Sequence, residues 1–87
     1  MEPRKTRVLD REGLHLRKAA QVVDRAKTFK SKVTLGHEQT WADASSIMQL
    51  LLLGAGPDTE LEVTADGPDE KDAVLSIVEL FDQGAGI

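Results

Sequence analysis

From Thr59 to Gly67 the chain alternates between two chemistries, with Leu61, Val63 and Ala65 on one side of the pattern and Glu60, Glu62, Thr64 and Asp66 on the other. A period of two puts successive side chains on opposite faces, so this stretch predicts a strand with one dry and one wet face. Shorter versions recur. Thr6 and Val8 mark Lys5–Leu9 as a strand, and Val33 and Leu35 do the same for Lys32–Leu35. Gly36–Gln39 reads as a turn, and Thr40–Asp43 as a return strand that makes a hairpin; with no Asn-Gly pair, the turn type stays open.

Three other segments repeat at helical spacing. In "LRKAAQVVDRAKTF" the residues Ala19, Ala20, Val22, Val23, Ala26 and Phe29 form one apolar stripe, and the two alanines keep it slim. "SSIMQLLLLGAGPD" predicts a short helix capped by Ser45 or Ser46, stopped at Gly54 and followed by Pro57. "PDEKDAVLSIVELFDQ" predicts a last helix. Asp69, Glu70 and Asp72 complement the positive end of its dipole, Val74, Ile77, Val78 and Phe81 form its stripe, and a frayed "GAGI" tail follows. The order β-α-β-β-α-β-α, with half-wet strands, implies a two-layer α+β open-faced sandwich. A four-stranded antiparallel sheet would be covered on one face by three helices.

Composition narrows this reading. A chain of 87 residues makes one small domain, 1–87. There is no cysteine and no tyrosine, with one tryptophan and two phenylalanines, so the core must be aliphatic and tightly packed without disulfides or thiolate metal sites. "MEPRKTRV" has no apolar stretch of the secretory kind, and "IMQLLLLGA" is far shorter than the ~20 residues a membrane span needs. A cytoplasmic protein with no membrane insertion is expected. The net charge of −4 conceals a division: residues 1–32 carry ten of the eleven Lys and Arg residues and four of the fifteen Asp and Glu, so they total +6 against −10 for the remainder. An acidic total argues against general nucleic-acid binding, and a basic first third suits an anionic ligand or partner. Two balancing solvated faces would give the same count.

One titratable ring stands where chemistry is easy to build. His15 follows Gly13-Leu14 and precedes the alanine-rich helix. If that helix starts at Leu16 or Arg17, its first amides have no partner within the helix and point toward the ring. A phosphoryl group on His15 would set its oxygens among these donors, with Arg17 and Lys18 adding charge-assisted bonds. The positive end of the dipole also disfavours an imidazolium, leaving the neutral, nucleophilic ring. A cap or an exposed polar residue is the plainer reading of a lone histidine at a helix start. His37 falls in the hairpin turn, neither histidine has a partner at metal-ligand spacing, and no metal or other cofactor is expected. No Ser-His-acid arrangement can be read for Ser45 or Ser46, and "GAGP" lacks the Lys-Ser/Thr of a phosphate loop. Exposed Met48 and Leu51 would mark an interface.

"GLHLRKAAQVV", "AKTFKSKVTL", "SSIMQLLLLGA" and "VTADGPDEKDAV" together resemble the histidine-containing phosphocarrier (HPr) family of the phosphoenolpyruvate-dependent phosphotransferase system, in order and spacing, over nearly the whole chain. The family pattern is Gly-(Ile/Leu)-His-x-Arg-Pro-Ala, a Lys-Ser-(Ile/Leu)-(Met/Phe) helix start, a Leu-Gly turn and a Gly-x-Asp-Glu start to the last helix. The resemblance implies phosphorylation of His15 on Nδ1, with Arg17 pairing the phosphoryl group and Leu16, Arg17 and Lys18 around it. Ser46 matches a position that a dedicated kinase phosphorylates in some bacteria. Leu16, Ala20, Lys27, Ile47, Met48, Leu51 and Leu52 match partner-docking positions. The implied partners are an enzyme I-like donor and a IIA-like acceptor in a sugar or regulatory system, with a Ser kinase/phosphorylase as a further one. A monomeric carrier is expected rather than an enzyme that turns over a small substrate. The chain departs from the pattern at Leu16, at the hairpin turn and at Lys18, which replaces the proline that would stiffen the first helical turn. Two other readings fit parts of the pattern. One is a regulatory interaction protein acting through Ser46 and the Met48 face; the other is a ferredoxin-like sensor, which gives no reason for Gly-Leu-His-x-Arg.

Overall fold

The computed structural model describes residues 3–82. The elements run β1 (Arg4–Arg7), α1 (Leu16–Ala26), β2 (Lys32–His37), β3 (Thr40–Asp43), α2 (Ile47–Leu52), β4 (Glu60–Asp66) and α3 (Glu70–Asp82). This is the order the pattern predicted. The expected end of the last helix at Gln83 and the frayed tail lie outside the described residues. The strands form one antiparallel sheet in the order β1-β4-β2-β3. The most regular alternator, β4, is therefore a central strand, hydrogen-bonded on both sides.

Period two resolves as expected. Leu61, Val63 and Ala65 of β4 and Val33 and Leu35 of β2 are buried. They meet the helices' apolar stripes: Ala19, Val22, Val23 and Ala26 from α1, and Ala73, Val74, Ile77, Leu80 and Phe81 from α3. In α3 the sealed positions include Leu80, while Val78 is only partly buried. Helix α1 stops at Ala26, short of Phe29, with Lys27 as its C-cap. Phe29 packs on the core from the turn that follows. In the β2–β3 turn Glu38 takes φ +57°, the backbone twist that Asn-Gly would otherwise supply.

One carboxylate joins three elements. Asp69, immediately before α3, accepts from the amides of Lys30 and Ser31 (2.9 Å each) and from the Ser31 hydroxyl (2.5 Å), fixing the α1–β2 connection to the start of α3. The Ser31 hydroxyl, and then the Lys30 amide, hold its carboxyl below the usual aspartate range. The folded state thus binds this proton less readily than the unfolded chain. The stability it contributes is complete above the ordinary aspartate value of about 3.9 and is lost as pH falls through the lowered folded value. Asp69→Asn is therefore expected to lower the urea midpoint at neutral pH, and the difference from wild type should shrink on acidification below about pH 4. A difference that stays constant down to pH 2 would mean that ionisation of Asp69 plays no part.

Candidate functional site

The site begins with a turn. After β1, Val8 continues the pairing through its amide to Thr59 O (2.9 Å), and the chain then folds so that the Gly13 amide donates to Asp10 O (3.0 Å). Gly13 has φ +73°, and a Cβ placed there would lie 2.6 Å from Ala55 O. The next amide, of Leu14, donates to that same carbonyl at 2.9 Å. The loop before α1 is thereby pinned to the segment after α2, and the glycine of "GLH" is required by both backbone conformation and space.

His15 is the N-cap of α1. Its backbone is extended (φ −97°, ψ 179°), its carbonyl accepts from the Ala19 amide (2.9 Å), and its Nδ1 accepts from the Arg17 amide at 3.2 Å. An accepting Nδ1 is unprotonated, so the neutral ring carries its hydrogen on Nε2. That nitrogen lies 3.5 Å from Asp10 Oδ2. With 26% of its side chain accessible, the ring is reachable; Nδ1 is held by the Arg17 amide, and Nε2 faces the Asp10 carboxylate. Leu16 and Arg17 beside it are exposed. Among the described residues the Arg17 guanidinium has no hydrogen bond or ion pair, so it is free to meet an anion.

Lys18 is not where a phosphate ligand was expected. Its side chain is only 6% accessible. The ammonium lies 3.6 Å from Asp10 Oδ1, donates to Leu80 O at 3.4 Å, and sits 5.9 Å from the Phe81 ring centroid. The reason is helical period: Lys18 is four residues before Val22 and eight before Ala26, inside the buried stripe. Its amide still belongs to the helix start, but its charge is turned toward Asp10 and the C-terminal turn of α3. Asp10 is the site residue that the sequence pattern does not single out. The available signal was an acid five residues before the histidine, matched by a lysine on a core face.

Ser46, not Ser45, caps α2, accepting from the Gln49 amide at 3.2 Å. Ser45 instead donates its hydroxyl and amide to Asp43 Oδ1, at 2.7 and 2.9 Å, and these bonds, the hydroxyl's first, lower the Asp43 carboxyl below its usual range. The "LLLL" run divides by face. Leu50 and Leu53 are buried, whereas Met48 (68%), Leu51 (37%) and Leu52 (73%) are exposed, as is Leu16 (62%) on α1. Ile47 and Ala20 are half-buried, and Lys27 is exposed. Since α1 packs against α2, the histidine and this apolar face belong to one pair of helices. His37 is half-buried at the end of β2, and among the described residues no cluster has the makings of a metal site.

The two helices α1 and α2 thus carry an accessible capping histidine, an arginine with no side-chain partner among the described residues, and an exposed apolar face. The family model described as "PTS HPr component phosphorylation site" matches residues 3–83, and the chain belongs to the HPr phosphocarrier family of the phosphotransferase system. It is 43% identical over 75 residues to phosphocarrier protein HPr of Treponema pallidum, covering 86% of this chain and 85% of that protein. It is 37% identical over 82 residues to phosphocarrier protein NPr of Proteus mirabilis (93% and 91%). A solved HPr from Thermoanaerobacter tengcongensis superposes with a TM-score of 0.90 at 29% identity, covering 95% of this chain and 93% of that one. Among the described residues no helix is long and apolar enough to cross a membrane.

Proposed function

We propose that this protein accepts a phosphoryl group on His15 Nδ1 from the phosphohistidine of an enzyme I-like donor and passes it to a IIA-like acceptor in a sugar or regulatory phosphotransferase system. The observation that carries the reading is the ring's posture as N-cap, with its Nδ1 lone pair facing the Arg17 amide. In the acceptor step that lone pair forms a bond to phosphorus while the donor's N–P bond breaks and its electron pair returns to the donor nitrogen. The Arg17 amide then turns from the ring nitrogen to a phosphoryl oxygen, with the amides of Leu16 and Lys18 and the Arg17 guanidinium adjoining. Donor and acceptor nitrogens are chemically alike, so alignment and charge compensation are what the protein must supply. The exposed Leu16, Met48, Leu51 and Leu52, flanked by Ala20, Lys27 and Ile47, are the docking face for both partners. A monomer that resides with them in the cytoplasm completes this reading.

The test is incubation with phosphoenolpyruvate and a bacterial enzyme I. Wild type is expected to gain one acid-labile phosphoryl group, and His15→Ala none. A gain that survives in the alanine variant would place the phosphorylated residue elsewhere.

The exposure of Met48 and Leu52 beside the Ser46 cap also supports a second reading, a regulatory protein controlled by a kinase at Ser46. In that case the same incubation leaves the chain unmodified, and Ser46→Asp alone alters partner affinity.

A further inference from the structure

Asp10 is the feature that the carrier reading leaves unused. It is 8% exposed, it opens the turn closed by Gly13, and its two carboxylate oxygens face different side chains. Oδ2 lies 3.5 Å from His15 Nε2, and Oδ1, which has no hydrogen-bond partner, lies 3.6 Å from Lys18 Nζ. Lys18 is anchored in turn to the Leu80 carbonyl. The order is thus Leu80 carbonyl, Lys18, Asp10, His15, running from the C-terminal turn of α3 to the reactive ring. Polar contacts of this length in a resting site commonly shorten when the reacting state forms.

We propose that Asp10, held by Lys18, is a positioning residue that keeps the proton on His15 Nε2 through the phosphorylated state. The proposal rests on the carrier reading. In the free protein the Arg17 amide already selects the Nε2–H tautomer by occupying Nδ1. Once Nδ1 is bonded to phosphorus that control is gone, because the nitrogen no longer has a lone pair to offer. The ring is then cationic while Nε2 keeps its proton. During onward transfer the N–P bond breaks, its electron pair stays on Nδ1, and the phosphoryl group goes to the acceptor nitrogen. With Nε2 protonated, the departing group is a neutral imidazole. With that proton lost it is an imidazolate, a far poorer leaving group. A carboxylate against Nε2–H favours the transferable form; Asp10 is the charged side chain that faces the ring, with the Lys18 ammonium behind it, 3.6 Å from Oδ1. The Lys18 charge compensates Asp10 in a site where an unpaired carboxylate would be costly.

The experiment compares wild type with Asp10→Asn, both phosphorylated on His15, at pH 8. Ring nitrogen spectra report which nitrogens carry hydrogen, and rapid quench reports transfer to a IIA domain. Wild type is expected to show a protonated Nε2. In Asp10→Asn that proton should be largely lost, and transfer should slow by about tenfold, the order expected for removing one opposite charge from beside a titrating ring. The unphosphorylated variant should keep the Nε2–H signature, since the Arg17 amide remains. Asp10→Asn/Lys18→Met leaves no buried charge unpaired and should show the same loss, so the test stands if the single variant unfolds. Phosphorylated variants with the wild-type ring signature and transfer rate would overturn the proposal and leave the carrier reading intact. A wild-type chain that takes no phosphoryl group on His15 would overturn both.

Discussion

Lys18→Pro, the substitution that restores the family's residue at this position, is expected to lower stability by about 2–4.5 kcal/mol. Two effects oppose each other. The backbone favours the change: the first intrahelical amide bond of α1 is donated by Ala19 to His15 O, so proline at 18 removes no helical hydrogen bond. At a compatible position proline gains about 0.4–1 kcal/mol by restricting the unfolded chain. Against this, the buried ammonium disappears and leaves Asp10 with only the uncharged ring beside it. Breaking a buried ion pair from one side costs roughly 3–5 kcal/mol, so the loss exceeds the gain. For a domain of this size the melting temperature should fall by roughly 10 °C or more. Asp10→Asn placed in the Lys18→Pro background should recover most of that, because the orphaned charge is gone. If Lys18→Pro melts at or above wild type, the Asp10–Lys18 pair contributes nothing measurable and a stiffer first turn outweighs it.

Gly13→Ala is expected to cost about 3 kcal/mol and to reduce phosphotransfer more than any single change on the docking face. The left-handed φ of +73° accounts for about 1 kcal/mol of the loss. The rest comes from space. The added methyl would lie 2.6 Å from Ala55 O and 2.8 Å from Gly56 Cα, both backbone atoms that cannot turn aside as a side chain can. Relief requires the loop to lift from the segment after α2, which breaks the 2.9 Å bond from Leu14 N to Ala55 O and moves His15, the next residue. Chemical denaturation and a phosphotransfer assay measure the two effects separately. A variant that retains wild-type stability would show that the loop can shift at no cost.

Much of the architecture was legible in the chain because period and burial agree. Strand β4 alternates without exception, so one face of it had to be dry. The α1 stripe could not be mistaken for a strand, and the serine, Gly54 and Pro57 bracket α2 at both ends. Where local pattern was weak, the reading was less sharp. Ser45 and Ser46 are chemically equal candidates for a cap, and only the path from Asp43 decides that Ser46 takes it. Phe29 extends the α1 stripe on paper, yet the helix ends three residues earlier and the ring reaches the core from a turn.

For the site, local sequence determined the half that is built locally. A histidine immediately before an alanine-rich helix caps it, and a capping ring faces unpaired amides; both follow from neighbours within three residues. The other half joins residues that share no local rule. Lys18 carries a charge that sequence reading sends to solvent or to a ligand, while its helical position sends it inward. Which of the two wins depended on whether a counter-charge waited inside. Only folding supplied one, by bringing the turn after β1 and the end of α3 to the same face of α1. A period can assign a side chain to a face. The partner on that face is chosen by the packing of elements distant along the chain, so the tertiary structure alone could set Asp10 between Lys18 and His15.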